Sequence, residues 1–260
     1  LEPDASWCEP GGVPASPLGN GGAFGGKSTS MAGDVARRLA DEHGRAVRVV
    51  LSREDTVRLG PKRPPLAIGV GADGAGVARL ARPSIAADEA GLRASIAAVA
   101  PAIDVEFVDV AGPEVSADLR GAGWAEVAAV LSSLHDAPDR VVAPNGVTAS
   151  AWWEDDRLVV DVDCGDALDD VVLRSYCLGA AHMALGMVRS EGLAVGVDGV
   201  PLDLTVRSFG VLRAVDTPQI DVRIARSDGE PVNGSDAVFA AVLAAAWRRD
   251  GFAPRWPSAH

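Results

Sequence analysis

The densest group of residues able to do chemistry is Gly21-Gly22-Ala23-Phe24-Gly25-Gly26-Lys27-Ser28. It satisfies G-x-x-x-x-G-K-[ST], in which backbone N–H groups cradle phosphates, the lysine reaches the terminal ones and the hydroxyl ligates Mg²⁺. Such a loop must leave a buried hydrophobic strand, yet Gly11 to Asn20 carries two prolines with glycines and polar residues where that strand should run. Leu158-Val159-Val160-Asp161 imitates the apolar strand ending in a metal-holding aspartate, a tetrad common in strands. In a second reading, the glycines let the backbone approach a bulky cofactor, Phe24 packs against it and the following helix N-terminus faces an anion.

Other candidates read plainly when taken alone. Arg120 opens a helix after a glycine-rich turn as a surface arginine would, and Ser227-Asp228-Gly229-Glu230-Pro231 has the composition of an exposed turn. His182, on an apolar helix, reads as a hydrogen-bonded core residue. Cys8, Cys164 and Cys177 are far apart, and an odd count without short spacings argues against a disulfide framework and against an Fe–S or zinc site. No direct metal ligand is therefore assigned, and a reducing cytoplasmic compartment is expected.

The elements that must position these groups follow from periodicity and breakers. Residues 1 to 30 hold too many glycines and prolines for a regular element. Met31, Val35, Ala36, Leu39 and Ala40 recur at helical spacing up to Gly44, and Ala46 to Leu51 reads as a buried strand. Leu66 to Val70 and Val77 to Ala81 flank a Gly-Ala-Asp-Gly-Ala-Gly turn as a hairpin would. Residues 88–100 and 124–134 are expected to be helical, with a half-buried strand at 103–110 between them. A second hairpin is expected from Thr148 to Trp153 and Arg157 to Val162, and a buried helix over Val171 to Val188, where Arg174, His182 and several glycines interrupt the apolar run. Strands near Leu202 to Val206 and Ile220 to Ile224 precede a last helix, Asp236 to Arg249, with Asp236 as its cap.

The result is an α/β (α+β) chain of mixed sheets with packed helices. At 260 residues, 48% hydrophobic, it forms one large domain or two small ones. The turn residues Ala137, Pro138, Pro144, Asn145 and Gly146 divide it into segments 1–140 and 146–260. A formal net charge of −12 repels nucleic acid, anionic membrane and polyphosphate, so neither nucleic acid nor a membrane is expected as partner, and an anionic ligand must be held by a local pocket.

Gly21 to Lys27 resembles the G-G-x-F-G-G-K loop of the molybdopterin-binding large subunits of the xanthine dehydrogenase, aldehyde oxidase and carbon monoxide dehydrogenase family, and the likeness continues in order. Val49-Val50-Leu51-Ser52-Arg53-Glu54-Asp55 is similar to the family's apolar-x-R-[ED]-[ED] turn. Gly60-Pro61-Lys62-Arg63-Pro64-Pro65 and Gly71-Ala72-Asp73-Gly74 are similar to its G-x-R-H/P-P segment and G-A-D-G hairpin. Leu119-Arg120-Gly121-Ala122-Gly123-Trp124-Ala125-Glu126 resembles [FY]-R-G-[AF]-G-x-P-[EQ], with Trp124 and Ala125 departing from it. Leu1-Glu2-Pro3-Asp4-Ala5 looks like [LM]-E-P-x-A, normally far upstream of the glycine loop, and no counterpart of the phosphate-holding G-Q-G-x-x-T segment exists between Leu134 and Ala151.

The resemblance implies a shortened oxidoreductase subunit that oxidises or hydroxylates a heterocycle, an aldehyde or CO at a molybdopterin (molybdenum) cofactor. Gly21, Gly22, Ala23, Phe24, Gly25 and Gly26 would hold the cofactor, Arg120 and Ala122 the substrate, and Glu230 of Gly229-Glu230-Pro231 would be the general base. A rival alignment through Asn233-Gly234-Ser235-Asp236 puts Ser235 in the glutamate's place. Electrons would leave through separate Fe–S and FAD subunits, and a homo-oligomer is the other partner considered. The alternatives are a non-catalytic binding or assembly module of the same fold and, more distantly, a P-loop nucleotide-binding protein.

Overall fold

The computed structural model describes residues 4–15, 30–134 and 140–258. The chain divides into two units, each built from separated segments. The first comprises Leu1–Arg63, Val110–Leu119 and Leu193–Phe209.

Small residues at every fourth position create the first helix of this unit. Ala32, Ala36 and Ala40 are buried on one stripe of α1 (Ala32–His43), and Ala36 and Ala40 pack with Cys8, Val47 and Val49. The helix stops at Gly44, as its sequence predicts, and the Gly44 N–H donates to the Ala40 carbonyl. Strand β1 (Ala5–Cys8) pairs antiparallel with β2 (Val47–Val50), Ala5 facing Val50. β1 corrects the expectation that residues 1 to 30 hold no regular element. Its hydrogen bonds come from a partner far along the chain, which local composition does not reveal.

After β2 the expected turn is a short helix, α2 (Arg53–Leu59). Ser52 begins it: its hydroxyl oxygen accepts the Asp55 N–H at 3.0 Å and donates to the Asp55 carboxylate at 2.8 Å. Ser52 is thus an N-cap whose hydroxyl bonds both the backbone and the side chain of Asp55. Replacing Ser52 by alanine should cost about 1 kcal/mol, read as a lower midpoint in thermal unfolding followed by circular dichroism. An unchanged midpoint would show that α2 is held by its packing alone. Leu202 to Val206 is not a strand: Val195 and Pro201 form an isolated bridge, and Val206–Phe209 is a single helical turn.

The second unit comprises Pro64–Asp109, Arg120–Gly192 and Gly210–His260, and it contains two sheets. In the first, β3 (Leu66–Val70) and β4 (Gly76–Ala81) make the expected hairpin, whose turn is held by the Asp73 carboxylate accepting the Ala75 N–H at 3.2 Å. Helix α3 (Ala86–Val99) buries Leu92 and Ile96 and returns the chain to β5 (Ile103–Val108), parallel to β4. Helix α4 (Trp124–Leu131) buries its first six residues.

The other sheet has the order β6-β7-β8-β9: β6 (Arg140–Val142), β7 (Thr148–Glu154), β8 (Arg157–Asp163) and β9 (Ile220–Ile224), the last parallel to β8. The crossover contains α5 (Asp170–Arg189), started by the Asp169 carboxylate, which accepts the N–H groups of Val171 and Val172 at 2.8 and 3.0 Å. By length and mean hydropathy (1.4), α5 could cross a membrane, but one face is buried and it lies against α6 (Ser235–Arg249). Helix α6 is buried almost all round from Ser235 to Ala246, which marks it as the central helix of this core. Asp236 lies inside its first turn rather than at the cap, and the Asn233 side-chain oxygen accepts the Ser235 N–H at 3.0 Å.

The fold is therefore a mixed α/β arrangement, with three sheets and seven helices among the described residues.

Candidate functional site

Three turns of the second unit meet where β8 ends. Beyond Asp163 the loop Cys164-Gly165-Asp166 runs against the turn that carries Glu230: the Asp166 N–H donates to the Gly229 carbonyl at 2.8 Å and the Val232 N–H to the Cys164 carbonyl at 2.9 Å. The Ser227 hydroxyl donates to the Asp163 carboxylate at 2.7 Å. Gly165 has φ +79°, and a Cβ built on it would sit 2.1 Å from the Glu230 carbonyl oxygen. Only glycine meets both conditions, since other residues rarely adopt that φ and the backbones are in contact.

The chain then enters α6, and there the third turn arrives. The Arg120 guanidinium stands 3.5 Å from the carboxylate of Asp236 in the first turn of α6. Arg120 is followed by Gly121 (φ +58°), Ala122 and Gly123 (φ +79°), so the Gly-Ala-Gly spacing produces a tight left-handed reversal at the start of α4. A Cβ on Gly123 would lie 3.1 Å from Ile96 and 3.2 Å from Leu80. In this chain that glycine serves close packing against the apolar core.

The structure thus brings Arg120, Ala122 and Glu230 into one unit and ties Arg120 to the helix that follows the Glu230 turn. Ala122 is buried. The Glu230 side chain is exposed, and its backbone rather than its carboxylate meets Gly165. Ser235, on which the rival alignment falls, is buried at the start of α6. Gly21, Gly22, Ala23, Phe24, Gly25, Gly26 and Lys27 lie outside the described residues. His182 is hydrogen-bonded as expected, its Nε2 bonding to the Leu212 carbonyl at 3.0 Å, but it is half-buried rather than in the core.

Both cysteines of this unit are buried free thiols. Burial pushes Cys177 up to about 11, with nearby Cys164 adding to the shift and Arg120 and Arg174 opposing it. Burial raises Cys164 as well, reinforced by Asp163 and Asp170. At neutral pH both are thiols rather than nucleophilic thiolates.

Three groups escape sequence reasoning. Asp236, expected as a cap, is the partner of Arg120. Glu191 folds over α5 where Gly186 lacks a side chain: a Cβ on Gly186 would be 2.2 Å from its carboxylate oxygen, and burial raises the acid to about 7. Lys62, in the first unit, is buried, and its amine is lowered to about 8 by that burial. The only signal available was rarity in the case of Lys62; Glu191 looks like any residue beyond a helix end.

As to the molybdopterin implied by the sequence resemblance, the described residues fit in part. The glycines at Gly121 and Gly123 both take positive φ, but the space beside them is filled by Ala125, Trp124, Ile96 and Leu80 of the chain's own core. The base position does not fit a carboxylate in a dry pocket, because Glu230 is exposed.

No family model matches the chain. A membrane-bound aldehyde dehydrogenase (pyrroloquinoline-quinone) of Gluconacetobacter polyoxogenes is 32% identical over 76 residues, which are 29% of this chain and 10% of that protein. Among solved structures, the Cu,Mo-CO dehydrogenase in its carbon monoxide reduced state aligns with a TM-score of 0.33 at 13% identity, covering 71% of this chain and 35% of that one. Reconstituted CO dehydrogenase from Oligotropha carboxidovorans gives 0.32 at 12% identity, covering 71% and 34%. Quinoline 2-oxidoreductase from Pseudomonas putida 86 gives 0.32 at 10%, covering 72% and 35%. The chain spans about a third of those structures and a tenth of the aldehyde dehydrogenase.

Proposed function

We propose that this chain is part of an oxidoreductase of the molybdenum-hydroxylase kind, supplying a portion of the cofactor and substrate site for oxidation of a small molecule. The observation that carries this reading is the ordered series of motifs from Gly21 to Glu126, whose last member forms the Arg120 reversal with left-handed glycines at both motif positions. The 76-residue sequence match to an aldehyde dehydrogenase supports an aldehyde as substrate, beside a heterocycle or CO.

In this reading Gly21 to Gly26 hold a molybdopterin, which supplies the redox chemistry when bound. Arg120, kept in place by Asp236, presents its guanidinium to the polar end of the substrate. The chain has no cysteine pattern for an Fe–S cluster of its own, so separate Fe–S and FAD subunits would be its redox partners.

A second reading, a binding or assembly module without catalysis, is favoured by Glu230 being exposed while Ser235 occupies the buried first position of α6. Serine cannot serve as the base at neutral pH.

Metal analysis of the natively purified protein separates the two. Near-stoichiometric molybdenum, with aldehyde oxidation that falls at least a hundredfold on Arg120→Met, is the expected result. Metal-free, redox-silent protein that still assembles with partner chains would establish the module instead.

A further inference from the structure

The middle turns of α5 are inverted. Their buried face, against α6, is built from small residues, Cys177, Ala180, Ala181 and Ala184, while larger apolar side chains stand on the other side. Leu168, just ahead of the helix, is 90% exposed, Val171 78% and Tyr176 52%, and Val172, Leu178 and Met183 are exposed as well. A helix on the surface of a globular protein turns its large apolar residues inwards and its charges outwards. Between Val171 and Val188 the only Asp, Glu, Lys or Arg is Arg174, and its guanidinium is turned to the Val222 carbonyl.

Spacing gathers these side chains into one stripe. Leu168, Val172, Ser175, Gly179 and Met183 recur at intervals of three and four residues, with Tyr176 beside them, so they share a face. Gly179 is a notch in it, since a Cβ there would meet nothing within 4 Å. With Val171 and Leu178 at its margin, the exposed apolar area is on the order of 600 Å². That is the upper end of what monomers leave uncovered, and most of the roughly 800 Å² that each partner buries in a standard interface.

We propose that this face docks on the same face of a second copy of the chain, with the two α5 helices antiparallel about a two-fold axis between Ser175 and Tyr176. A two-fold interface must be complementary to itself, and each of its contacts occurs twice. In this register Val172 enters the notch at Gly179 of the second copy, Tyr176 covers its Ser175, and Leu168 packs on its Met183. Large residues thus oppose small ones, which lets the helices approach closely. Arg174 falls opposite the buried Cys177, so the pairing opposes no like charges along the helix. The antiparallel arrangement also sets the two helix dipoles against each other favourably. A parallel pair would instead place Val172 on Val172 and notch on notch. This surface goes beyond the oxidoreductase reading and stands whether or not a cofactor is held.

Sedimentation equilibrium of the 260-residue chain tests the proposal, and the parent should be dimeric at about 10 µM. Gly179→Leu fills the notch. Its side chain enters open space in the monomer and leucine is the better helix former, so folding is retained, while the dissociation constant should rise at least tenfold. Adding Val172→Gly moves the notch to the opposite side of the same contact, and the double variant should return to within about threefold of the parent. A parent that is monomeric up to about 100 µM, a Gly179→Leu protein that pairs as tightly as the parent, or a double variant no tighter than Gly179→Leu alone overturns the proposal. So does a monomer that floats with phosphatidylcholine vesicles, which would assign the face to a lipid surface.

Discussion

Gly165→Ala should destabilise the second unit by about 3 kcal/mol and shift the turn that carries Glu230. Two costs add. A left-handed backbone costs an alanine about 1 kcal/mol or more, and a Cβ would fall 2.1 Å from the Glu230 carbonyl oxygen and 2.7 Å from that of Gly229. Neither oxygen belongs to a flexible side chain, so relief requires separating the loop after β8 from the 227–232 turn, with loss of the bonds from Asp166 and Val232. Denaturant unfolding measures the first effect, and amide exchange at Asp166 and Val232 the second. A variant within about 0.5 kcal/mol of the parent, with both amides still protected, would show that the two segments are not in contact in solution. Because α6 begins immediately beyond this turn, the substitution should also loosen Arg120 from Asp236.

Stability should fall as pH rises from about 4.5 to about 7, through Glu191. Its acid is raised to about 7 by burial, whereas in the unfolded chain it titrates near the ordinary value of 4.5. The folded state therefore holds a proton that the unfolded state releases, so the stability present below the unfolded value is lost as pH passes through the folded one. The shift corresponds to about 3 kcal/mol at most, reduced by the part of the carboxylate that water still reaches. The surroundings are dry enough for the effect: among the described residues the neighbouring Ser190 hydroxyl is buried without a partner. Glu191→Gln keeps the shape over Gly186 and removes the charge, so it should raise stability at pH 8 while leaving pH 4 nearly unchanged. Equal pH slopes in parent and variant would place the Glu191 carboxylate in solvent.

Much of the architecture follows from short-range rules. The alanines of α1, the glycine after it, the hairpins around Asp73 and Asp155, and the length of α5 each state their own conformation, because helix and strand periodicities are local properties. The errors fall where a partner decides. β1 exists because β2 supplies its ladder, and α2 forms because the Ser52 cap closes a turn that its composition leaves ambiguous. Leu202 to Val206, apolar enough for a strand, finds no ladder and stays irregular before its single helical turn.

Functional residues divide along the same line. The sequence by itself determined which residue types stand in motif order: the Gly21 to Gly26 loop, Arg120 with its flanking glycines, and Glu230 in a turn. It also determined that Lys62 is a rarity among arginines. Only the tertiary structure decided that Arg120 reaches Asp236, that Glu230 faces water while Ser235 is buried, and that Lys62 and Glu191 lose their hydration. The reason is physical: residue type and spacing fix what a side chain can do, but its solvation and partners come from chain segments far away in sequence, and these set its charge state and its reach.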